Sequence, residues 1–298
     1  MRTLRTVAEV RTALAQPRRE GRRIGLVSTM GALHEGHLSL IRRARDECDE
    51  VVVTLFVNPT QFNQQSDLAA YPRDEGRDAA IAADESVDYL FAPSVDEIYP
   101  EGFATTISIG GITEVLEGVH RGREHFEGVA TVVCKLFNIV APDIAYFGQK
   151  DAQQTLVIKR LVRDLNMPVQ IEVCPTVREP DGLALSSRNA RLNASERRRA
   201  TALHQALASA QVLVAAGETD VATIVAAARS ELADPQLRVE YFQLVNPETL
   251  VPITSVSGPA LALVAAWVGE TRLIDNQMLS VPTRSRPQVA AGSNTRSD

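Results

Sequence analysis

Cysteine is scarce. Only Cys48, Cys134 and Cys174 occur, far apart among Val, Leu and charged residues. An odd, scattered set of this kind makes neither a disulfide framework nor a zinc cluster, and it fits reduced thiols in a cytoplasm. A basic excess is missing too: 31 Lys+Arg stand against 37 Asp+Glu, a formal net charge of −6. Counterion release needs clustered Lys and Arg, so no nucleic-acid partner is expected. Long apolar runs are also absent. The longest, Ala260 to Val268, falls far short of the ~20 residues that span a bilayer, so no membrane partner is expected. The opening Met1-Arg2-Thr3-Leu4-Arg5 is charged and lacks the apolar stretch of a secretory signal. A cytoplasmic location is the expectation. What is present is ordinary globular composition, 45% apolar and 23% charged over 298 residues, enough chain for about two domains.

The first half alternates β-rich runs with amphipathic segments. Ile24 to Thr29 reads as a strand, His37 to Asp46 as a helix and Glu50 to Val57 as a second strand. Leu38, Leu40, Ile41 and Ala44 form that helix's apolar stripe. Strand, loop, helix and strand within ~30 residues make a βαβ unit with parallel strands. The pattern continues through helix 74–84, strand 87–91, helix 128–140, strand 144–147, helix 152–165 and strand 169–173. This predicts an α/β fold, a parallel sheet covered by helices on both faces. In such sheets ligands bind beyond the carboxyl ends of the strands. After about Val177 the texture changes to two Ala-rich helices, 194–216 and 220–233, and two strands, 238–245 and 260–268. That α+β block predicts a second, smaller domain. The expected division is 1–176, 177–282 and a disordered polar tail, 283–298.

Four segments carry chemistry. Met30-Gly31-Ala32-Leu33-His34-Glu35-Gly36-His37 joins the first strand to its helix. Its glycines allow close backbone approach, the helix start offers free N–H groups, and His34 and His37 add two imidazoles toward a polyphosphate. Histidines that cap the helix, or a pair of metal ligands, are the alternatives; no nearby Cys or further His completes a zinc set. Gly148-Gln149-Lys150-Asp151 is a second phosphate-friendly turn, with Lys150 as a point charge. Asp151 is a helix cap or a magnesium ligand. Ser186-Ser187-Arg188 is a compact donor cluster for phosphate, or else a polar linker. Gln61, after the second strand, and Gln154, in the helix after Asp151, offer amides that read hydroxyl and carboxylate groups without adding charge.

Taken in order, the stretches TMGALHEGH, LFVNPTQF, YPRDE, HFEGVATVVCKLFNIVAPDIAYFGQKDAQQ, PTVREPDGLALSSRN and RLIDN resemble the pantoate–β-alanine ligase (pantothenate synthetase) family of the HxGH nucleotidyltransferase superfamily. The resemblance runs from about residue 24 to 276. It implies a Rossmann-like domain with a smaller C-terminal lid domain, usually as a homodimer. It also implies a two-step reaction with ATP as substrate and Mg2+ expected alongside. The carboxylate of (R)-pantoate attacks the α-phosphorus of ATP to give pantoyl adenylate and pyrophosphate. The amine of β-alanine then displaces AMP to give pantothenate, the precursor of coenzyme A.

The family roles fall on matching residues. His34 and His37 correspond to the paired histidines on the ATP phosphates, His37 being the usual proton donor, and Met30 starts their loop. Met30 to His37, Gly148 to Asp151, Val177 and Leu185 to Arg188 match the ATP-contacting stretches, in which Lys150, Ser186, Ser187 and Arg188 meet phosphate. Gln61 and Gln154 correspond to the pantoate amides, with Gln61 also near β-alanine. Asn58, Tyr71, Arg121 and His125 fall in pocket-side or interface segments.

Three departures stand out. Gln149 replaces a familiar glutamate and removes a charge. Ala152 replaces a familiar tyrosine. The segment from Gly118 to His125 is one residue longer than usual. None removes a phosphate-binding cation or a pantoate-reading amide, so an active enzyme is expected. The rivals are another nucleotidyltransferase, or a silent nucleotide-binding protein that kept the fold. A tRNA enzyme would need a basic surface, which is lacking.

Overall fold

Short runs rich in Val, Ile and Leu, broken by polar turns, become the strands of a sheet buried on both sides. The computed structural model describes residues 1–63, 65–69 and 71–280. Strands β1 (Arg2–Leu4), β2 (Ile24–Thr29), β3 (Glu50–Leu55), β4 (Tyr89–Phe91), β5 (Ile144–Gly148) and β6 (Gln170–Cys174) form one sheet in the order β1-β4-β3-β2-β5-β6. All its pairs are parallel. Helices α1 (Val7–Arg19), α2 (Glu35–Glu47), α3 (Gln65–Ala69), α4 (Glu75–Asp84), α5 (Val95–Ile98), α6 (Glu117–Arg121), α7 (Arg123–Val140) and α8 (Ala152–Asp164) fill the connections.

One face of the sheet packs on α1 and α7 through Val10, Leu14, Val133 and Leu136. The other packs on α2 and α4 through Ile41, Ala44 and Ala82. The α/β class read from the alternation is the one observed. Strand β1 and helix α1, the latter closed by a Thr6–Glu9 capping box, were not among the expected elements.

The strand order reverses between β2 and β5. After β2 the chain works outward through β3 and β4, then α7 carries it back to lay β5 on the other flank of β2. The turns leaving β2 and β5 therefore face each other across a topological switch point, where open α/β sheets bind ligands.

The later block contains α9 (Ala194–Ala215), α10 (Val221–Glu231), β7 (Leu237–Val245), β8 (Ala260–Val268) and β9 (Thr271–Leu279), the strands forming an antiparallel sheet in chain order. The apolar run of β8 is explained by its neighbours. Its even-numbered residues, such as Ala262 and Val264, pack under α9 and α10. Leu261 and Leu263 face Phe126, Ala130, Ala152 and Val157 of α7 and α8. A strand buried on both faces has no polar face to show. The third strand, β9, was not expected from the sequence. Among the described residues no helix is long and apolar enough to cross a membrane. The expected tail, 283–298, lies outside the described residues.

Candidate functional site

The turn after β2 makes two consecutive left-handed residues, Gly31 (φ 89°) and Ala32 (φ 53°), before α2 begins. His34 is the N-cap of α2, and its Nδ1 accepts the Gly36 N–H at 3.1 Å. His37 Nδ1 accepts the His34 N–H in a longer contact of 3.4 Å. These bonds assign the proton of each neutral ring to Nε2. The rings lie 4.2 Å apart between centroids. Burial is the main cause that holds His37 down to about 3, with Lys150 adding to it and Asp151 opposing. Burial and Lys150 also lower His34. Both imidazoles are therefore held toward the neutral form, with each Nε2–H left without a protein partner among the described residues and so available to a ligand. The capping and ligand readings of this pair are compatible: the Nδ1 atoms serve the helix, leaving each Nε2–H to donate.

The turn after β5 brings Lys150 and Asp151 to the same cavity of about 200 Å³ as His34 and His37. Lys150 is 18% exposed along its side chain, and its Nζ lies 3.7 Å from Asp151. Asp151 stands at the N-cap position of α8 but makes no capping bond, so the plain helix-cap reading of that residue fails. Crowding raises the Asp151 carboxyl, but Lys150, Arg121 and Arg188 outweigh it and hold the group below its ordinary value. Among the described residues no cluster of three or more His, Cys, Asp or Glu is arranged to hold a metal ion.

Gln61 closes a short 3-10 turn after β3 and lines the cavity with Gln154. Asn58, fully buried, donates from Nδ2 to Gln61 Oε1 at 3.1 Å and to the Gly128 carbonyl at 3.1 Å. That sets which way the Gln61 amide points, and its Nε2 lies 3.1 Å from Met30 Sδ. Gly128 is needed here because a Cβ would sit 2.6 Å from the Thr60 carbonyl oxygen. His125 donates from Nδ1 to the Gln61 carbonyl at 2.8 Å, and burial lowers its pKa to about 4. The sequence placed Asn58 and His125 vaguely near the pocket; their work is to hold Gln61.

The loop after β6 brings Val177 and Leu185 to the cavity, joined by a backbone bond from Leu185 N–H to the Val177 carbonyl at 3.0 Å. Ser186 caps the next 3-10 turn, its Oγ accepting the Arg188 N–H at 3.2 Å. Ser186 and Arg188 line a small adjoining recess that also includes Lys150. Arg188 is crowded, which lowers its pKa, with Arg121 adding and Asp151 opposing.

Of the sequence-predicted residues, Met30, His34, Gly36, His37, Gln61, Gly148, Lys150, Asp151, Gln154, Val177 and Leu185 share one cavity, together with Asn58 and Tyr71. Gly31, Ala32, Leu33, Glu35, Gln149 and Ser187 are not on the walls of the cavity or the recess. Leu33 is core, and Glu35 pairs with Arg42 at the surface. Gln149 turns away to donate to Asn276 Oδ1 at 3.0 Å. Ala152 is buried against the second sheet. The lengthened segment runs from α6 across Gly122 into α7, and Glu117 just before it pairs with Arg121 at 3.1 Å and Arg272 at 2.7 Å.

Asn276 and Asp275, in the RLIDN stretch, are functional-site neighbours for which no role is legible in the sequence. Asp275 pairs with Arg178 at 2.6 Å. Both are buried, which the sequence does not mark; the signal it offered was their place in the RLIDN stretch.

Chemically, the cleft collects N–H donors and cations around one carboxylate, with two amides alongside. It suits a polyanion next to a small polar acid.

Comparison with known proteins agrees with this chemistry. The family model described as pantoate-beta-alanine ligase matches residues 2–278. The pantothenate synthetase of Moorella thermoacetica is 54% identical over 282 residues, covering 94% of this chain and 99% of that protein. That of a Roseiflexus species is 55% identical, covering 94% and 99%. A crystal structure of pantothenate synthetase from Thermus thermophilus superposes with a TM-score of 0.88 at 49% identity, covering 93% of this chain and 99% of that one. The Francisella tularensis pantoate-beta-alanine ligase, complexed with beta-gamma ATP and beta-alanine, gives a TM-score of 0.77 at 35% identity, covering 93% and 97%.

Proposed function

The chain belongs to the pantoate–β-alanine ligase family, and on that premise we infer how its cleft performs the family's reaction. The protein condenses pantoate with β-alanine using ATP, through a pantoyl adenylate, and releases pyrophosphate and AMP. The convergence of His34, His37, Lys150 and Asp151 on one cavity with Gln61 and Gln154 carries the assignment of roles.

In the first step a pantoate carboxylate oxygen bonds to the α-phosphorus as the bond to pyrophosphate breaks. Little covalent work falls to the protein, so rate comes from positioning and from donors aimed at developing charge. Neutral His34 and His37 donate through Nε2–H, and Lys150 neutralises phosphate oxygens. Arg188 and Ser186 extend that cradle from the adjoining recess. Gln61, with its amide oriented by Asn58, and Gln154 hold the pantoate hydroxyl and carboxylate. In the second step the β-alanine amine attacks the acyl carbon, AMP leaves with the acyl-bond electrons, and the proton lost by the amine passes to water. The roles of His37 as hydrogen-bond donor and of Gln61 at both steps belong to this proposal.

Mg2+ would arrive with the triphosphate and offset its charge. Asp151, 51% exposed along its side chain, is the cleft carboxylate fitted to hold it, since magnesium is usually bound by one or two carboxylates plus substrate phosphates. Residues 1–176 are proposed as the ATP- and pantoate-binding domain and 177–282 as a lid over it. A cytoplasmic homodimer completes the reading.

The test is substrate dependence. Pyrophosphate release from ATP should require pantoate, and AMP at full turnover should require β-alanine as well. Release with CTP in place of ATP, or no nucleotide consumption, overturns the assignment.

A further inference from the structure

Asp78 lies outside both recesses and is only 2% exposed. It sits one turn into α4, whose N-cap is already supplied by Asp74 accepting the Arg77 N–H at 2.9 Å. The cap bond of the helix is therefore made without Asp78, whose first-turn position the helix dipole also favours. Burying a carboxylate is unfavourable unless strong partners compensate. The partners of Asp78 are two successive backbone N–H groups of the turn after β2: Ala32 donates to Oδ2 at 2.7 Å and Leu33 to Oδ1 at 2.9 Å. Among the described residues its ion-pair partner is Arg77, at 3.5 Å with a half-exposed side chain.

Those two bonds fall on a strained stretch of backbone. Ala32 is left-handed at φ 53°, a conformation that an L-residue with a Cβ adopts only against steric opposition. Gly31, left-handed just before it, leaves room for the carboxylate; a Cβ there would sit 2.9 Å from Asp78 Oδ2. On the far side of the turn, Thr29 Oγ1 accepts the Gly31 N–H at 3.2 Å. The segment between Met30 and His34, both on the cavity wall, is thus pinned at its two ends.

We propose that Asp78 is a positioning residue for the nucleotide-facing turn: its two backbone bonds hold Ala32 left-handed and so aim Met30 and His34 into the cleft. The proposal rests on the reading of that turn as the ATP site. Without the carboxylate, Ala32 relaxes toward negative φ and the chain leaves β2 in another direction. Asp78 touches no substrate and acts only through the turn.

The test is Asp78→Asn, alone and combined with Ala32→Gly, because glycine takes the left-handed conformation without a Cβ clash. D78N presents an N–H to one of the two backbone donors. In steady-state assays on folded protein, the KM for ATP should rise about tenfold while the KM for β-alanine stays within twofold. Adding A32G should bring the ATP value back to within about threefold of wild type. If D78N folds poorly, the same rescue should appear as recovered soluble yield.

The imidazole resonances of His34 report the turn in the ligand-free protein without any turnover. They should shift in D78N and return in the double variant. An unchanged ATP KM in folded D78N, or a defect that A32G does not relieve, overturns the proposal. A wild-type protein that releases no pyrophosphate would sink the functional reading instead, leaving the His34 resonances to decide the role of Asp78.

Discussion

The side-chain amide of Asn276 donates to the backbone carbonyl of Lys150 at 2.9 Å. The same nitrogen donates to the Gln149 carbonyl at 3.0 Å, and Gln149 Nε2 returns a bond to Asn276 Oδ1 at 3.0 Å. The middle of β9 thereby grips the turn that aims the cleft lysine. The glutamine that departs from the familiar glutamate is what lets the grip be reciprocal, because a carboxylate at 149 has no N–H to give.

Asn276→Asp keeps the shape of the side chain and removes its donors. It leaves two part-buried carbonyls facing an anion, and an unmet buried partner typically costs about 1–3 kcal/mol, an upper range here. The expected outcome is a lower urea midpoint together with a raised KM for ATP. A variant with wild-type values for both would show the grip to be idle.

Lys150→Ala removes a preorganised cation. By analogy with loss of one oxyanion donor, kcat/KM for pantoate-dependent pyrophosphate release should fall by roughly 2–4 kcal/mol of transition-state stabilisation. A near-normal rate would make Lys150 a bystander.

Asn58→Asp exchanges the donor that faces Gln61 Oε1 for an acceptor, so the Gln61 amide should turn over and offer its oxygen to the cleft. The KM for pantoate should rise about tenfold, or about 1.4 kcal/mol, with the KM for ATP changed far less. Equal effects on both substrates would point to a general loss of fold instead.

Acid should destabilise the protein earlier than carboxylate titration alone predicts. His37 and His125 have folded values of about 3 and about 4, both below the ordinary 6.5, and burial is the main cause of each. Between those limits the unfolded chain binds more protons than the folded one, so stability rises with pH there. The contribution is complete above about pH 6.5 and is lost as pH falls toward the folded values. Each fully depressed histidine contributes a slope on the order of 1.4 kcal/mol per pH unit. Urea midpoints measured from pH 7 down to pH 5 should fall steadily, and His125→Asn should flatten the slope. A midpoint independent of pH over that interval contradicts the account.

Much of the scaffold could be read from local patterning. The alternation of β-branched runs with stripes such as Leu40, Ile41 and Ala44 requires a two-faced sheet with helices on each side. Strand β9 escaped because Asp275 and Asn276 interrupt its alternation, and their burial makes sense only once Arg178 and the Lys150 turn are in place. Strand β1, three residues long, is a strand only because β4 lies beside it.

The primary structure alone determined the α/β class and the chemistry offered at each turn, because strand and helix periods and the donor inventory of a side chain are local properties. Tertiary structure alone decided which turns meet and how each group behaves there. The reversal of strand order between β2 and β5 sets Lys150 opposite His34. Burial holds His37 toward its neutral form, Asn58 selects the face of Gln61, and Asp78 reaches back across 46 residues to grip Ala32. Orientation, charge state and backbone strain depend on neighbours distant along the chain, and packing alone supplies those neighbours.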